Sequence, residues 1–380
     1  MKKTSVLVVV LCAVISMSAC GINNNTEIQP TEITTQTTET TNQSTQVKNN
    51  NSICDISLND NEILIDGKAI SNDASNAVYK ANNIIYYESG KDFTYGEGSE
   101  EEAHSKDEAL SHSVIHITKA GTYKLSGKLS KGQVAVDLGE DAKNDSNAVV
   151  TLILDNVDIT CNVAPAVIFY NVYECSNSDT DTATKDVNTA KAGANVIIAD
   201  NSINTVNGSY VAKIYKPESV VLNDDKTEVE DASKLHKYDG AFYSKMSMNI
   251  NGSEKNNGVL NINATNEGLG TELHLTINGG IININSGNDG INTNEDGVSV
   301  TTINGGELNI TVTGKTGEGD GIDSNGWIVI NEGKVKVEAC SFSADAGIDS
   351  DMGIHINGGT VFATGSMLDR IEDGGQKYVI

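Results

Sequence analysis

The stretch Leu275-Thr276-Ile277-Asn278-Gly279-Gly280-Ile281-Ile282-Asn283-Ile284 decides the fold class of this chain. Apolar and polar residues alternate on both sides of its Asn-Gly-Gly triplet, and a period of two residues indicates β-strands. Glycine tolerates positive φ, so the triplet itself predicts a sharp bend. The stretch therefore predicts two short strands joined by a bend, each with one apolar face.

This pattern recurs at a fixed spacing along the C-terminal half of the chain. Its Ile-Asn-Gly core, written once as Ile-Asn-Glu-Gly, contains Asn251, Asn278, Asn304, Asn331 and Asn357. These asparagines are 27, 26, 27 and 26 residues apart. A coil with turns of constant length stacks identical residues about 4.8 Å apart. A hairpin meander needs no such period, so the repeat predicts an all-β fold, a parallel β-helix with coils of roughly 26 residues.

The remainder of the chain is organised around this repeat. Residues 113–380 are predicted to form the β-helix, and residues 52–112 an irregular or capping segment. Two segments without the repeat, residues 170–192 and 208–237, are predicted to leave the coil as long loops.

The first residues have the features of an export signal. Lys2 and Lys3 precede an apolar run of ten residues, which is too short to span a bilayer. The run closes on Met17-Ser18-Ala19-Cys20, which resembles a bacterial lipobox. Residues 1–19 are therefore predicted to be a lipoprotein signal peptide, with lipid on Cys20. The alternative is an ordinary signal peptide followed by an incidental cysteine.

Residues 20–51 contain Asn, Thr, Gln, Ser and Glu with almost no apolar residues. Such a segment cannot offset its ordering entropy and is expected to be disordered. We interpret it as a tether on the extracellular face of the bacterial cell membrane. The protein is then expected to be a monomer that contacts the membrane only through its lipid anchor.

The charge of the chain excludes one class of function. Acidic residues outnumber basic ones 52 to 26, which gives a formal charge of −26, and Arg370 is the only arginine. A chain this acidic repels phosphate backbones, and it lacks the planar guanidinium groups that grip phosphate. No nucleic-acid partner is therefore expected.

Four cysteines follow residue 20, namely Cys54, Cys161, Cys175 and Cys340. So few cysteines do not make a disulfide scaffold, and no C-x-x-C pair offers zinc ligands. Cys161 and Cys175 either pair across a loop or remain buried thiols.

An acidic motif also recurs in the repeat region. It occurs at Asp239-Gly-Ala, Glu267-Gly-Leu, Asp289-Gly-Ile, Asp320-Gly-Ile and Asp345-Ala-Gly-Ile. If the isoleucines face the core, stacking builds columns of outward acids and amides, which repel one another unless a cation lies between them. Clustered oxygen ligands suit Ca²⁺. The candidate ligands are Asp239, Glu267, Asp289, Asn292, Asp320, Asp323, Asp345, Asp349 and Asp351. The alternative is a solvated Asn/Asp ladder without metal.

Aromatic residues are scarce, so each is a candidate for sugar stacking. Trp327 is the only tryptophan, and its position relative to Ile328 predicts that it faces outward, where it could stack on a pyranose ring. It could equally pack at a bend. Tyr210, Tyr215 and Tyr238 on the second loop are further candidates. Columns of Asn and Thr on a flat strand face could bind a linear polymer.

Several ordered motifs resemble a family of clostridial cell-surface carbohydrate-binding β-helix proteins. They are Gly121-Thr-Tyr-Lys-Leu-Ser-Gly, Thr151-Leu-Ile-Leu-Asp-Asn-Val-Asp-Ile-Thr and the repeated Ile-Asn-Gly-Gly and Asp-Gly-Ile. The resemblance implies a right-handed parallel β-helix, similar to family 9 polysaccharide lyases, with bound calcium. It also implies binding of plant cell-wall polysaccharides such as polygalacturonate and cellulose. Carried over to this chain, Asp289, Asp320, Asp323 and Asp349 become calcium ligands.

Function remains open among three classes. The first is a noncatalytic, calcium-stabilised polysaccharide-binding lipoprotein. The second is a calcium-dependent pectate lyase acting by β-elimination, for which Lys245 is the best available base. The third is a structural or adhesive surface protein without a glycan ligand.

Overall fold

The computed structural model describes residues 53–341 and 344–367. The chain divides after Asn49, and every described residue belongs to the unit Asn50–Ile380. The predicted signal peptide, Cys20 and the predicted tether lie outside the described residues. In the described part, no helix is long and apolar enough to cross a membrane.

The described residues fold mainly into strands. The first are β1 (Cys54–Leu58), β2 (Leu64–Ile65), β3 (Lys68–Ala69), β4 (Val78–Ala81), β5 (Ser113–Ile117), β6 (Gly121–Leu129), β7 (Gly132–Asp137), β8 (Val150–Thr160), β9 (Val167–Asn171) and β10 (Ala194–Ile198). Next come β11 (Ile203–Gly208), β12 (Val211–Tyr215), β13 (Val221–Leu222), β14 (Val229–Asp231), β15 (Lys234–Tyr238), β16 (Gly240–Ser244), β17 (Met248–Gly252), β18 (Val259–Ala264), β19 (Glu267–Thr271) and β20 (Leu275–Ile277). The last are β21 (Ile281–Ser286), β22 (Ile291–Thr293), β23 (Val300–Ile303), β24 (Glu307–Val312), β25 (Ile322–Ser324), β26 (Trp327–Ile330), β27 (Lys334–Glu338), β28 (Gly353–Ile356) and β29 (Thr360–Thr364). One short helix, α1, spans Lys106–Leu110, and 3₁₀ turns lie at Glu140–Asn144 and Pro217–Ser219.

Parallel strands form three rows in the described part of the chain. The first row is β8–β10–β17–β20–β23–β26–β28. The second is β8–β11–β18–β21–β24–β27–β29. The third is β5–β7–β9–β16–β19–β22–β25. Each strand pairs with the corresponding strand one repeat later, which confirms an all-β architecture of large parallel sheets.

The register stacks equivalent residues of successive repeats. In the first row Ile250, Ile277, Ile303, Ile330 and Ile356 occupy one position on neighbouring strands. The first four are at most 1% exposed. This column and its counterparts in the other rows form an aliphatic core between the rows. The predicted alternation of inward and outward residues around each bend is therefore confirmed.

The asparagines that follow these isoleucines form a hydrogen-bonded ladder. Each amide nitrogen donates to the amide oxygen one repeat earlier: Asn278 to Asn251 at 2.9 Å, Asn304 to Asn278 at 2.9 Å, Asn331 to Asn304 at 2.8 Å and Asn357 to Asn331 at 2.8 Å. We call these five residues the asparagine ladder. An amide carries both donor and acceptor, so identical amides satisfy one another when stacked.

Segments outside the repeat add strands at one end and along one side. Within residues 53–112, β1 pairs parallel with β6, which pairs parallel with β8. β4 pairs antiparallel with β5. The second predicted loop forms two antiparallel pairs, β12–β15 and β13–β14. The first predicted loop has no strand between β9 and β10.

Cys161 and Cys175, for which the sequence left a disulfide open, carry free thiols. Cys161 is buried, and that burial raises the pKa of its thiol to about 12. Burial, reinforced by Glu174, raises the pKa of Cys175 to about 11. Both side chains are therefore protonated and unreactive at neutral pH.

The bends after four of the five ladder asparagines, all except Asn251, contain a glycine at positive φ. Gly280, Gly306, Gly333 and Gly359 have φ of +88°, +84°, +96° and +79°. A Cβ on Gly306 would also lie 2.6 Å from the carbonyl oxygen of Gly280 in the repeat below. Backbone conformation and close stacking thus both exclude a side chain at this bend.

Replacing Gly306 with Ala is expected to lower the free energy of unfolding by about 2–4 kcal/mol, because positive φ costs about 1–3 kcal/mol and the clash adds to it. Gly139→Ala is the matched control, since Gly139 has φ of +91° and nothing within 4 Å of the added Cβ. Urea unfolding of both variants measures the difference. Equal losses would contradict tight stacking at the bends.

Candidate functional site

The acidic motif lies along the third row of strands. Ile291 pairs with Ile322, and a further bridge joins Ile322 to Ile348. Ile291 and Ile322 are fully buried and Ile348 is 8% exposed. The isoleucines of the motif therefore face the core as predicted, and the acids on either side of them face outward.

The register brings several of the predicted ligands into columns. Asn292 pairs with Asp323, and Asp349 follows the residue that bridges to Ile322. Asp289 and Asp320 each lie two residues before the paired isoleucines, and the backbone N–H of Asp320 donates to Oδ1 of Asp289 at 2.7 Å. Two acidic columns thus run side by side along the edge of this row.

Asp320, Asp323 and Asp349 form the tightest acidic group, which we call the carboxylate cluster. One oxygen from each side chain lies within 4.8 Å of the others. Three carboxylates at such distances repel strongly unless a proton or a cation compensates them. Hard oxygen ligands are those that Ca²⁺ prefers, so these are the residues that could hold a calcium ion.

Burial and repulsion together raise the pKa values of two acids in the cluster. Burial, with the charges of Asp320 and Asp349, raises the pKa of Asp323 to about 7. Burial, with the charges of Asp349 and Asp345, raises the pKa of Asp320 to about 6 despite a hydrogen bond from the N–H of Ala346. Without a cation, part of the cluster is protonated near neutral pH.

A second acidic group lies deeper in the same columns. Glu267 and Asn292 are 5% and 9% exposed, and the amide of Asn292 donates to Oε1 of Glu267 at 3.0 Å. In the described structure Oε2 of Glu267 and Oδ1 of Asn292 have no hydrogen-bond partner. Burial first, then neighbouring acids, raises the pKa of both Glu267 and Asp289 well above the ordinary range. Two unsatisfied buried acceptors beside Asp289 also suit a cation.

Asp239, at the other end of the column, has a different partner. Its Oδ2 lies 3.0 Å from Nζ of Lys237, and its side chain is 8% exposed. A lysine ammonium thus supplies the positive charge beside this predicted metal ligand. Sequence reasoning missed Lys237, because a single lysine in a loop carries no periodic signal.

Asp345 and Asp351 lie outside the carboxylate cluster. Oδ2 of Asp345 accepts the backbone N–H of Gly319 at 3.0 Å, which ties the two repeats together. Asp351 is exposed, and its backbone N–H donates to the carbonyl of Ser324 at 3.1 Å. The structure therefore does not gather all nine predicted ligands around one point.

The predicted aromatic platforms differ in accessibility. Trp327 is partly exposed, and its neighbour on the next strand is Gly353, which has no side chain to cover the ring. Tyr210 is partly exposed like Trp327, and its hydroxyl donates to Glu102 at 2.6 Å. Tyr215 and Tyr238 are only 8% and 3% exposed. The expectation that Tyr215 and Tyr238 offer open ring faces is wrong, because the loop folds back and packs them inward.

Lys245 lines a cleft of about 460 Å³ at the end of β19, which we call the lysine cleft. Lys143, Lys234, Glu272 and Glu295 line it too, and Lys234 binds Glu272 at 3.0 Å. None of the three acids of the carboxylate cluster lines this cleft. The predicted base and the carboxylate cluster therefore do not share a cleft.

Comparison with known proteins identifies the domain. Residues 111–371 match the sequence model of a family described as carbohydrate-binding domain-containing proteins, and this match covers more than half of the chain. The chain belongs to this family. A solved polysaccharide lyase-like protein from C. thermocellum, a gadolinium derivative, aligns over 85% of this chain and 98% of that chain at 20% identity and a TM-score of 0.44. No curated protein matches the sequence.

The carbohydrate-binding domain includes every predicted site residue that the structure describes. It begins just before β5 and extends beyond β29. The acidic columns, the lysine cleft and the asparagine ladder are therefore all features of this domain. Segment 53–110, including β1 and β4, precedes it.

Replacing Asp323 with Asn is expected to raise the free energy of unfolding by about 1–3 kcal/mol at pH 8 in a chelator. The pKa of Asp323 is about 7 in the folded protein and 3.8 ordinarily, so the folded state binds the proton more tightly. The free energy of unfolding of the wild type therefore falls as pH rises from 3.8 to about 7, and the Asp323→Asn variant does not undergo this loss. Urea unfolding at pH 5 and pH 8 measures it.

Asp225→Asn is the control for this comparison, because Asp225 is exposed in the turn between β13 and β14. Its stability change is expected to be small and similar at both pH values. A destabilised Asp323→Asn protein at pH 8, with no smaller pH dependence than the wild type, would contradict electrostatic repulsion in the cluster.

Proposed function

We propose that the protein is a noncatalytic, lipid-anchored cell-surface protein that binds plant cell-wall polysaccharide of the polygalacturonate or cellulose type. Membership of the carbohydrate-binding family supports a polysaccharide partner. The signal-like residues 1–19 and Cys20 support export and attachment to the outer face of a bacterial membrane. The polar segment 20–51 then holds a monomeric binding domain away from the lipid.

The scaffold in this proposal is a right-handed parallel β-helix. Three rows of strands support it, because each strand pairs with the strand one repeat later in all three rows. A chain that visits three rows in turn at constant period follows a coil. Crossovers between parallel strands are almost always right-handed, which supports the proposed hand.

Calcium in this proposal is held by Asp320, Asp323 and Asp349. The three carboxylates fit the ion because their oxygens lie within 4.8 Å of one another, and oxygen is the donor type that calcium prefers. Glu267 and Asn292 offer two further buried oxygens without partners. A bound ion would neutralise the acidic columns, so the stacked carboxylates would stabilise the repeats instead of forcing them apart.

The observation that carries the proposed function is the parallel register. It places outward polar side chains at the same position on successive strands, about 4.8 Å apart, as in the asparagine ladder. A polysaccharide repeats along its length as well, so one weak contact per strand can be made many times. Summed contacts of this kind give avidity without any deep pocket.

Two other functions are distinguished by experiment. A lyase needs its base next to the calcium-bound uronate, and Lys245 lines a cleft that the carboxylate cluster does not line. This separation favours binding without catalysis. A structural or adhesive protein without a glycan ligand would keep the fold and bind no polysaccharide.

The protein is expected to co-sediment with insoluble pectin or cellulose in millimolar calcium, because repeated polar contacts need an intact stack of strands. Adding a chelator is expected to weaken retention or lower the melting temperature, since the acidic columns then repel. Sedimentation and thermal unfolding, each with and without chelator, measure the two effects. Heat-denatured protein controls for nonspecific retention.

Incubation with polygalacturonate and calcium separates binding from catalysis. The expected result is constant ultraviolet absorbance, and a steady rise from unsaturated chain ends would establish the lyase instead. Absence of retention on every polysaccharide tested would contradict the binding function and favour an adhesive role.

A further inference from the structure

A groove of about 350 Å³ lies where loop residues 187–190 cross the outer face of the first row. Its floor is made by two columns of side chains from β10, β17, β20 and β23. One column contains Asn195, Asn249, Thr276 and Thr302. The other column consists of three residues of the asparagine ladder, Asn251, Asn278 and Asn304. We call this feature the asparagine groove.

We infer that the asparagine groove binds an extended, uncharged polysaccharide chain that runs across the strands. This inference rests on the proposed function and specifies where the polymer lies and what its chemistry is. The groove has a volume within the range of ligand sites in proteins. It crosses four neighbouring strands, a span of roughly 14 Å at the usual strand spacing.

The wall of the groove is fixed before any ligand arrives. Thr189 is 5% exposed, and its hydroxyl lies 2.7 Å from Oδ1 of Asn249 and 2.7 Å from the hydroxyl of Thr276. The amide of Asn249 in turn donates to the carbonyl of Thr189 at 2.8 Å. These bonds hold the loop to the second and third strands of the floor, so binding does not require the loop to become ordered.

The floor presents a regular set of unused hydrogen-bonding groups. An asparagine amide has two N–H donors and an oxygen with two lone pairs. In the described structure the side chains of Asn278 and Asn304 each donate once and accept once within the ladder. One donor and one lone pair therefore remain on each, and both side chains are exposed. Hydroxyl groups of a sugar can use both kinds of group.

The charge of the groove selects its ligand. All its lining residues are Asn, Thr, Ala or Val, in a chain with 21% charged residues and a formal charge of −26. None of the residues that line the groove carries a positive charge to offset the carboxylates of an acidic polymer. An uncharged polymer needs no such charge. In an extended 1,4-linked glycan, successive rings advance by about one strand spacing, so each ring can meet one strand.

The second row offers a matched surface without a wall. Its outer face carries Asn261, Asn283 and Asn309, and the amide of Asn309 donates to Asn283 at 3.0 Å as in the ladder. No loop residue lines that surface in the described part of the chain. The two faces share their chemistry and differ in enclosure, so the second row is an internal control.

Calorimetric titration with cellohexaose, a neutral 1,4-linked hexasaccharide, tests the inference. Ala190 is exposed on the groove wall, so Ala190→Trp blocks the groove from outside the folded core. We expect this variant to lose affinity by about tenfold or more, and Asn304→Ala to lose roughly three- to tenfold through its hydrogen bonds. Ala74→Trp, at an exposed position in the N-terminal segment, and Asn285→Ala, on the second row, are expected to bind as wild type.

The melting temperature of each variant is measured first, so that loss of binding is not confused with loss of fold. Unchanged affinity of a folded Ala190→Trp protein would overturn the inference while leaving polysaccharide binding intact. If hexagalacturonate binds more tightly than cellohexaose and Ala190→Trp abolishes that binding, the inference that the groove takes an uncharged ligand is overturned. If the wild type is retained on no polysaccharide at all, the proposed function fails as well. Wild-type affinity for cellohexaose that is insensitive to salt supports an uncharged contact.

Discussion

In-register pairing between parallel strands one repeat apart is the constraint on which the rest of the structure depends. It places each residue directly beside its counterpart in the next repeat, so residues that recur in the sequence also meet in the structure. For Ile277 and Ile303 the result is a continuous core, because aliphatic side chains gain from one another's contact. For Asn278 and Asn304 it is a ladder of amide hydrogen bonds. Both outcomes stabilise the stack.

The same constraint is unfavourable for the acids of the third row. Carboxylates have acceptors only, so stacked acids cannot satisfy one another as amides do. Burial first, and then the charges of neighbouring acids, raises the pKa values of Asp320 and Asp323. At one end of the column the ion pair between Lys237 and Asp239 relieves this conflict. A chain keeps such an unfavourable arrangement where another charge compensates it, which is why we propose a divalent cation at the carboxylate cluster.

Much of this could be predicted from the sequence, because the repeat itself carries the information. The spacing of the Ile-Asn-Gly cores indicated which residues stack in the first row. The recurring Asp-Gly-Ile motif indicated that Asn292 and Asp323 pair. The features that were missed all involve segments without the repeat. Lys237 beside Asp239, the inward packing of Tyr215 and Tyr238, and the wall formed at Thr189 arise where loops return to the strands. No periodicity encodes those contacts, since each depends on the path of one particular loop.

The central proposal is that stacking brings three carboxylates so close together that they hold a divalent cation among them. An anomalous difference map from crystals grown in millimolar calcium tests it most directly. The predicted result is a strong peak within coordination distance of Asp320, Asp323 and Asp349. A map without a peak there, in crystals that show the same three carboxylates in contact at neutral pH, would contradict the claim.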